Sequence, residues 1–149
     1  MPNSYWLFGS RLKILADGAV TGGRYDLIQG WNTPNSPTPP HIHHAYSEHF
    51  YILDGEYTVW TPGTEVILRA GDSLLVPPGQ AHALAATGDV PGRTLIVTAP
   101  SGFARLVATA GTADTGQEAS PGPPDMELFR RICAELGDEI LGPPGMLPR

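Results

Sequence analysis

The sequence predicts an all-β protein, folded as a closed or two-sheet antiparallel barrel with one or two short helices near its C-terminal end. The first observation is composition, because 18 Gly and 16 Pro stand among 149 residues and separate short apolar runs. The second is that about seven or eight of these runs follow one another at even spacing, which is typical of a barrel. The third is a change to helical spacing of apolar residues after residue 100.

The predicted strands are runs in which side chains alternate between a buried and an exposed face. In chain order they are residues 11–15, 24–31, 48–53, 56–60, 65–68, 73–76, 81–86 and 93–99. An apolar patch at Tyr5-Trp6-Leu7-Phe8 must also be covered, as an edge strand of the same barrel or by a second copy of the chain. This patch and the barrel edges lead us to expect a homodimer.

The turns between these strands are marked by glycine and proline. Asp54-Gly55 separates two alternating runs and predicts a tight hairpin. We expect positive φ at Gly55, Gly71 and Gly79, where the chain reverses sharply. Residues 17–23 contain three glycines and predict a loop, and residues 32–40 contain four prolines and lead without regular structure into His41.

The last third of the chain predicts helical packing on the barrel. Residues 101–110 could form a short helix with Ser101 as N-cap, and residues 125–136 a second helix between Asp125 and a stop at Gly137. The organisation expected is a barrel over residues 1–110, a linker over 111–124, and a helix with a proline-rich tail over 125–149. No chemistry is expected in this last part.

Charge and cysteine content limit the classes of partner. The formal net charge is −6, only 16% of residues are charged and no basic stripe is present, so nucleic acid and anionic membranes are not expected partners. No apolar run has the length of a bilayer span, and the first ten residues lack the features of a secretory signal. The single cysteine, Cys133, excludes an intramolecular disulfide. We therefore expect a cytoplasmic protein.

A candidate metal site begins at His41-Ile42-His43. Alternate residues of a strand share a face, so the two imidazoles can approach one ion, whereas His44 should point away. If the run that Glu48 opens is the adjacent strand, its carboxylate can reach the same ion. His82 follows the bend at residues 77–79 and is expected to join them. Three histidines and one carboxylate would leave coordination positions open, as in a catalytic site.

These residues lie in two motifs that resemble those of the cupin superfamily. The first is His41-x-His43-x4-Glu48-x6-Gly55, and the second is Gly71-x5-Pro77-x-Gly79-x2-His82. The phrases at residues 21–23, 39–43 and 101–103 also look like the small quercetin-dioxygenase-like cupins. The resemblance implies a double-stranded β-helix, or jelly-roll barrel, with one divalent metal ion held by His41, His43, Glu48 and His82.

Two positions depart from the family pattern. Asn35 stands where the first motif begins with glycine, and Ala86 stands where the second motif ends with asparagine. Neither position holds a metal ligand in the family, so the departures concern the wall and mouth of the pocket. Tyr25 and Gln29 could line that mouth, although a position in the barrel core is an equal alternative.

Three functions are compatible with this site. The first is a metal-dependent dioxygenase that acts on a small enolisable or phenolic substrate, flavonol-like or polyketide-like, with dioxygen as co-substrate and Glu48 as ligand or general base. The second is a non-oxidative isomerase, cyclase or decarboxylase that uses the same ion as a Lewis acid. The third is a binding protein without turnover. Imidazole and carboxylate ligands do not select among Fe, Mn, Ni, Co, Cu and Zn.

Overall fold

A computed structural model describes residues 3–149, so Met1 and Pro2, the first residues of the expected barrel segment, lie outside the described residues. Within the described part there are three helices, α1 (Gly18–Thr21), α2 (Phe103–Ala110) and α3 (Met126–Leu136). The strands of the same part are β1 (Ser4–Leu7), β2 (Ser10–Ala16), β3 (Asp26–Asn32), β4 (His41–His43), β5 (Ser47–Asp54), β6 (Glu56–Thr61), β7 (Thr64–Arg69), β8 (Ser73–Val76), β9 (Ala83–Ala86), β10 (Gly92–Ala99), β11 (Thr112–Ala113) and β12 (Asp138–Ile140).

The strands form antiparallel sheets that enclose one apolar core. The largest sheet has the order β11-β1-β2-β3-β10-β5-β8, a second has the order β7-β6-β9, and β12 pairs with β4. Ile28 and Phe50 of the largest sheet share a single cluster of buried side chains with Tyr57 and Val59 of the second. The predicted all-β jelly-roll barrel with short helices near its C-terminal end is therefore confirmed.

The hairpin predicted at Asp54-Gly55 is wrong. β5 pairs with β10 and β8, whereas β6 pairs with β7 and β9, so the chain crosses from one sheet to the other at this turn. Gly55 has the expected positive φ of 84°. A type I′ turn requires positive φ at both central residues, and Asp54 does not have it, so this turn is not of type I′. Alternation predicted the two strands correctly but not their partners.

The predicted loop at residues 17–23 contains the short helix α1. Asp17 caps it, because its Oδ1 accepts hydrogen bonds from the backbone N–H groups of Ala19 at 3.0 Å and Val20 at 3.3 Å. The chain leaves α1 through Gly22, whose φ is 69°. Gly22 and Gly23 therefore end a helical turn rather than lengthen a loop.

Helix α2 does not use Ser101 as its N-cap. The cap position is Gly102, which has no side-chain acceptor for the free N–H groups of the first helical turn. A carboxylate from another element accepts them instead. Asp26, on β3, is 1% exposed, and its Oδ2 accepts the backbone N–H groups of Gly102 at 2.8 Å and Ala104 at 3.1 Å. It also accepts the hydroxyl of Thr98 at 2.8 Å.

The N-terminal aromatic patch is covered within its own chain. β1 pairs with β2 and β11, and Trp6 and Leu7 are buried. The guanidinium of Arg11 lies 4.7 Å from the ring centroid of Trp6 and 5.2 Å from that of Trp31. It also forms an ion pair with Asp114 at 3.3 Å. The patch therefore gives no support for a second copy, and the homodimer stays a prediction.

The C-terminal segment returns to the barrel through α3 and β12. Asp125 caps α3 as predicted, since its Oδ1 accepts the backbone N–H groups of Glu127 and Leu128 at 3.1 Å each. Gly137 ends the helix with a φ of 77° in the left-handed region. β12 follows at once, and it was not predicted. Its pairing with β4 brings the C-terminal segment beside the histidines of the first motif.

Candidate metal site

Two backbone segments that carry histidines lie side by side. His41 and His43 stand at the two ends of β4, and His41 forms an antiparallel bridge with His82. The His41 N–H donates to the His82 carbonyl at 2.9 Å, and the His82 N–H donates to the His41 carbonyl at 3.0 Å. The centroids of these two imidazoles are 4.2 Å apart, and those of His41 and His43 are 4.6 Å apart.

Glu48 reaches this histidine group from a different sheet. We expected its strand to lie beside β4, but β5 pairs with β10 and β8, so the carboxylate approaches across the barrel interior. Its Oε1 lies 3.1 Å from His82 Nε2 and 3.6 Å from His43 Nε2. One ligand atom from each of His41, His43, Glu48 and His82 lies within 4.8 Å of the others, so this group could hold a metal ion.

Each of the three imidazoles uses Nδ1 for a contact outside the group, while Nε2 of His43 and of His82 face the Glu48 carboxylate. Each Nδ1 faces an oxygen acceptor: the Pro39 carbonyl for His41 at 2.6 Å, the Asp138 carboxylate for His43 at 2.8 Å, and the Gln80 carbonyl for His82 at 3.0 Å. A proton on Nδ1 satisfies these contacts and leaves a lone pair on Nε2, the arrangement usual for metal-binding histidines.

One buried atom tests whether the residues fit a metal ion. His43 Nε2 is buried and has no hydrogen-bond partner among the described residues. An unpaired buried nitrogen is costly, and a metal ion would satisfy it. Three imidazole nitrogens and one carboxylate oxygen are a donor set suited to first-row divalent ions. The residues therefore fit the ion, and their action as its ligands stays a prediction.

Burial and mutual charge shift the acid–base properties of the group. Burial, together with the neighbouring His82 and His43, lowers the pKa of His41 from 6.5 to about 3. Burial alone would lower the pKa of His43, but Glu48 and Asp138 raise it to about 9. Burial would raise the pKa of Glu48, but His43 and His82 hold it well below its usual range. Glu48 is therefore ionised at neutral pH.

Two residues that complete this site were not identified from the sequence. Asp138 Oδ1 accepts the Nδ1–H of His43, and Asp138 Oδ2 accepts the Tyr46 hydroxyl at 2.9 Å. The Tyr46 ring also stacks on His43, with centroids 4.4 Å apart and an interplanar angle of 27°. The last third of the chain, in which no chemistry is expected from the sequence, thus contacts the histidine group through Asp138. The only local signal was an acidic residue directly after the helix stop at Gly137.

The histidines expected to face away do so. His44 is exposed, and its Nε2 lies 3.2 Å from Glu139 Oε1 on the outer side of β12. His49 is also exposed. Strand parity thus separated the inward-facing histidines from the outward-facing ones correctly.

A mostly apolar cavity of about 80 Å³ adjoins the histidine group. His41, His43 and Glu48 lie in its wall, and the strands and both longer helices supply the apolar part: Leu7, Phe8, Leu12, Phe50, Leu84, Ile96, Phe103, Leu106, Phe129, Cys133 and Ile140. Of the two alternatives for Tyr25 and Gln29, a place at the pocket mouth is not seen, since neither belongs to the cavity wall. Tyr25 is 42% exposed and so is not in the core either, whereas Gln29 is half-buried on β3.

The structure shows the surroundings of the two positions that depart from the motif pattern, Asn35 and Ala86. Asn35 has a φ of 58°, in the left-handed region that favours glycine and that asparagine tolerates better than most residues. The backbone conformation of a glycine position is therefore kept. Ala86 is 1% exposed on β9, opposite Tyr57 of β6, so this position belongs to the barrel core.

Comparison with known proteins agrees with this fold. Residues 33–98, which include all four residues of the histidine and glutamate group, match the family described as Cupin domain. Together with the fold and the relatives that follow, this match supports a small protein of the cupin superfamily, with the cupin domain over residues 33–98.

Two curated relatives have named roles. Quercetin 2,3-dioxygenase of Bacillus subtilis is 33% identical over 78 residues, which cover 52% of this chain and 23% of that enzyme. The tetracenomycin polyketide synthase protein TcmJ of Streptomyces glaucescens is 30% identical over 85 residues, which cover 56% of this chain and 54% of that protein. The chain thus matches about a quarter of the first relative and about half of the second.

Among solved structures, that of a predicted oxalate decarboxylase from Thermotoga maritima matches with a TM-score of 0.60 and 23% identity. The match covers 67% of this chain and 92% of that one, and it supports the fold. None of the helices in residues 3–149 has the length and apolar character that crossing a membrane requires.

Proposed function

We propose that this protein is a metal-dependent enzyme, a dioxygenase that acts on a small enolisable or phenolic substrate. The observation that carries the proposal is the buried Glu48 carboxylate, which faces three imidazoles whose Nδ1 atoms are all engaged elsewhere, at the wall of an apolar cavity. An apolar wall with a few convergent polar groups is typical of a small-molecule site, and a substrate larger than this cavity of about 80 Å³ would require the pocket to widen.

His41, His43, Glu48 and His82 would hold one divalent ion of Fe, Mn, Ni, Co, Cu or Zn. A bound ion of this kind supplies Lewis-acid chemistry and, when redox-active, the means to use dioxygen. Four protein ligands leave positions open for substrate on a five- or six-coordinate ion. The carbonyl and carboxylate acceptors at the three Nδ1 atoms fix each ring so that Nε2 points inward.

Glu48 is the residue we propose to handle the substrate proton. Its carboxylate is 3% exposed and ionised at neutral pH, so it can act as a ligand or accept the proton of a substrate hydroxyl on Oε1 or Oε2. A mostly apolar wall disfavours water near the reacting groups, which would protect a reactive intermediate from side reactions.

The cavity wall and one relative favour an aromatic or conjugated substrate. Phe50, Phe103 and Phe129 contribute ring surfaces that can pack against a planar molecule, and most of the wall surface is apolar. The polar side chains of the wall outside the histidine group and Asp138 are Ser10, Asn32, Thr38 and Thr94, and they could bind hydroxyl or carbonyl groups of the substrate. The named activity of the Bacillus subtilis relative, on quercetin, is consistent with a phenolic substrate.

The second candidate is a non-oxidative reaction on a polyketide-like substrate, such as a cyclisation or isomerisation. It is favoured by the match to the tetracenomycin polyketide synthase protein, which covers more than twice the share of its relative that the quercetinase match covers. The same donor set and the same carboxylate would serve this reaction, and dioxygen would not be consumed.

The experiment that separates these functions starts with the metal content of protein purified without chelator. Protein loaded with each metal is then mixed with flavonols and with small phenolic polyketides, and both dioxygen uptake and product formation are followed. Metal-dependent dioxygen uptake that is lost in Glu48→Gln and kept in His44→Ala supports the dioxygenase. Product formation under argon supports the second candidate. Bound metal without turnover on any substrate would favour a binding protein instead.

A further inference from the structure

Asp138 is the residue that connects the C-terminal strand to the histidine group. Its side chain is 2% exposed, and both carboxylate oxygens are engaged, Oδ1 by His43 Nδ1 at 2.8 Å and Oδ2 by the Tyr46 hydroxyl at 2.9 Å. Burying a carboxylate is costly unless its oxygens accept hydrogen bonds, and both oxygens of Asp138 do so.

His43 differs from the other two site histidines in the charge of its Nδ1 partner. His41 and His82 donate to the backbone carbonyls of Pro39 and Gln80, which are neutral. His43 donates to a carboxylate. A hydrogen bond to an ionised acceptor is about twice as strong as one between neutral groups, and it makes the opposite ring nitrogen a better electron donor.

The backbone fixes this contact through strand register. Asp138 stands directly opposite His43 in the β12–β4 pair, and the left-handed φ of Gly137 turns the chain from α3 into that strand. On the other side of the imidazole, Tyr46 stacks on the ring and donates its hydroxyl to the same carboxylate. The His43 ring is thus held at its edge and on one face.

We propose that Asp138 is a positioning residue for the metal site, which holds the His43 ring and increases the electron density that Nε2 offers to the ion. This inference rests on the proposed function, because it concerns the same ion. It assigns part of the site to the C-terminal segment, outside the region that matches the cupin domain family.

The test compares three variants with the wild-type chain. Asp138→Asn keeps the size of the side chain and an acceptor for Nδ1–H but removes the charge. Tyr46→Phe keeps the stacked ring and removes the hydroxyl. Glu139→Gln is the matched control, because Glu139 also contacts a histidine, His44, but on the exposed side of the same strand. Each protein is titrated with Co(II) against a chelator, the visible spectrum of the Co(II) form is recorded, and unfolding of the metal-free form is followed.

We expect Asp138→Asn to weaken Co(II) affinity by about 10- to 100-fold and to shift the visible bands, with a smaller loss for Tyr46→Phe and none for Glu139→Gln. Unfolding of the metal-free form shows that each variant is folded before its Co(II) affinity is compared with that of the wild type. Equal affinity and an unchanged spectrum in Asp138→Asn would overturn the inference while leaving the proposed function intact. A wild-type chain that binds Co(II) with this dependence on Asp138 but shows no turnover would remove the proposed function alone. A wild-type chain that binds no Co(II) would overturn both.

Discussion

Asp26 and Gly102 are joined by a hydrogen bond of 2.8 Å that ties the start of α2 to strand β3. Because the same carboxylate oxygen also serves Thr98 and Ala104, Asp26→Ala would leave three donors without their acceptor. We expect the variant to lose about 2–5 kcal/mol of unfolding free energy, which urea denaturation would measure.

The matched control for that variant is Asp17→Ala, since Asp17 also caps a helix but does so at an exposed position. Its loss should be at most about 1 kcal/mol. Equal losses in the two variants would contradict the buried, shared role assigned to Asp26.

His82 and His44 provide a second comparison. His82 is 0% exposed and lies 3.1 Å from Glu48, whereas His44, the residue after β4, is exposed. His82→Ala should reduce metal affinity at least about 10-fold, and His44→Ala should change it little. Elemental analysis of the purified proteins and chelator competition would measure both. Unchanged metal content in His82→Ala would remove this residue from the ligand set.

The histidine group also predicts a stability maximum for the metal-free protein near pH 6.5. His41 has a folded pKa of about 3, so the unfolded chain binds more protons below pH 6.5 and stability falls as the pH is lowered. His43 has a folded pKa of about 9, so its stabilising contribution is complete below pH 6.5 and is lost as the pH rises through 9. The low pKa of Glu48 adds a further loss at acid pH.

Urea denaturation from pH 4.5 to 9.5 would measure this profile. Each group changes the unfolding free energy by at most about 1.4 kcal/mol per pH unit, where its two states differ by one proton. His41→Gln should flatten the acid side of the profile and leave the alkaline side in place. A flat wild-type profile across this range would show that the three side chains do not interact as described.

Gly92 gives a prediction about packing. A Cβ atom at this position would lie 2.5 Å from a ring carbon of Tyr57, which is completely buried and cannot move aside. We expect Gly92→Ala to cost about 1–3 kcal/mol in thermal or urea unfolding. Gly88→Ala is the control, because its Cβ would lie 3.7 Å from that of Glu56, an ordinary contact. The prediction fails if both variants are equally stable.

The sequence predicted faces of strands better than partners of strands. Alternation identified which side of β5 is buried, since Glu48 and Phe50 face inward while His49 and Tyr51 do not. It could not reveal that β5 and β6 belong to different sheets, because a period of two gives the orientation of side chains and leaves the neighbouring strand open. The pair Asp54-Gly55 can occur in a hairpin or in a crossover between two sheets, and only the φ values of the folded chain distinguish the two.

The candidate site shows the same limit. His41 and His43 could be placed by parity. Glu48 was placed by assuming that its strand adjoins that of His41 and His43, which is wrong, and His82 by its position after the bend at residues 77–79. The two motifs gave the same four residues independently. Asp138 lies 95 residues from His43 along the chain, in a strand of three residues that has no alternating apolar pattern. Helical spacing predicted α3 and its stop at Gly137, but the direction in which the chain leaves that stop depends on contacts with β4, which only the folded protein contains.

Arg11, which lies against Trp6 and Trp31, also holds residues 114 and 117 to the barrel, and this determines where the chain can be extended by insertion. Residues 111–117, part of a segment whose composition suggested a linker, are held to the barrel by β11 and by the bond from Arg11 to the Gln117 carbonyl. Glu118 and Ala119, directly beyond this anchor, are exposed. A reporter peptide or fused domain is therefore best inserted between these two residues, where the added chain leaves the aromatic clamp on Arg11 undisturbed.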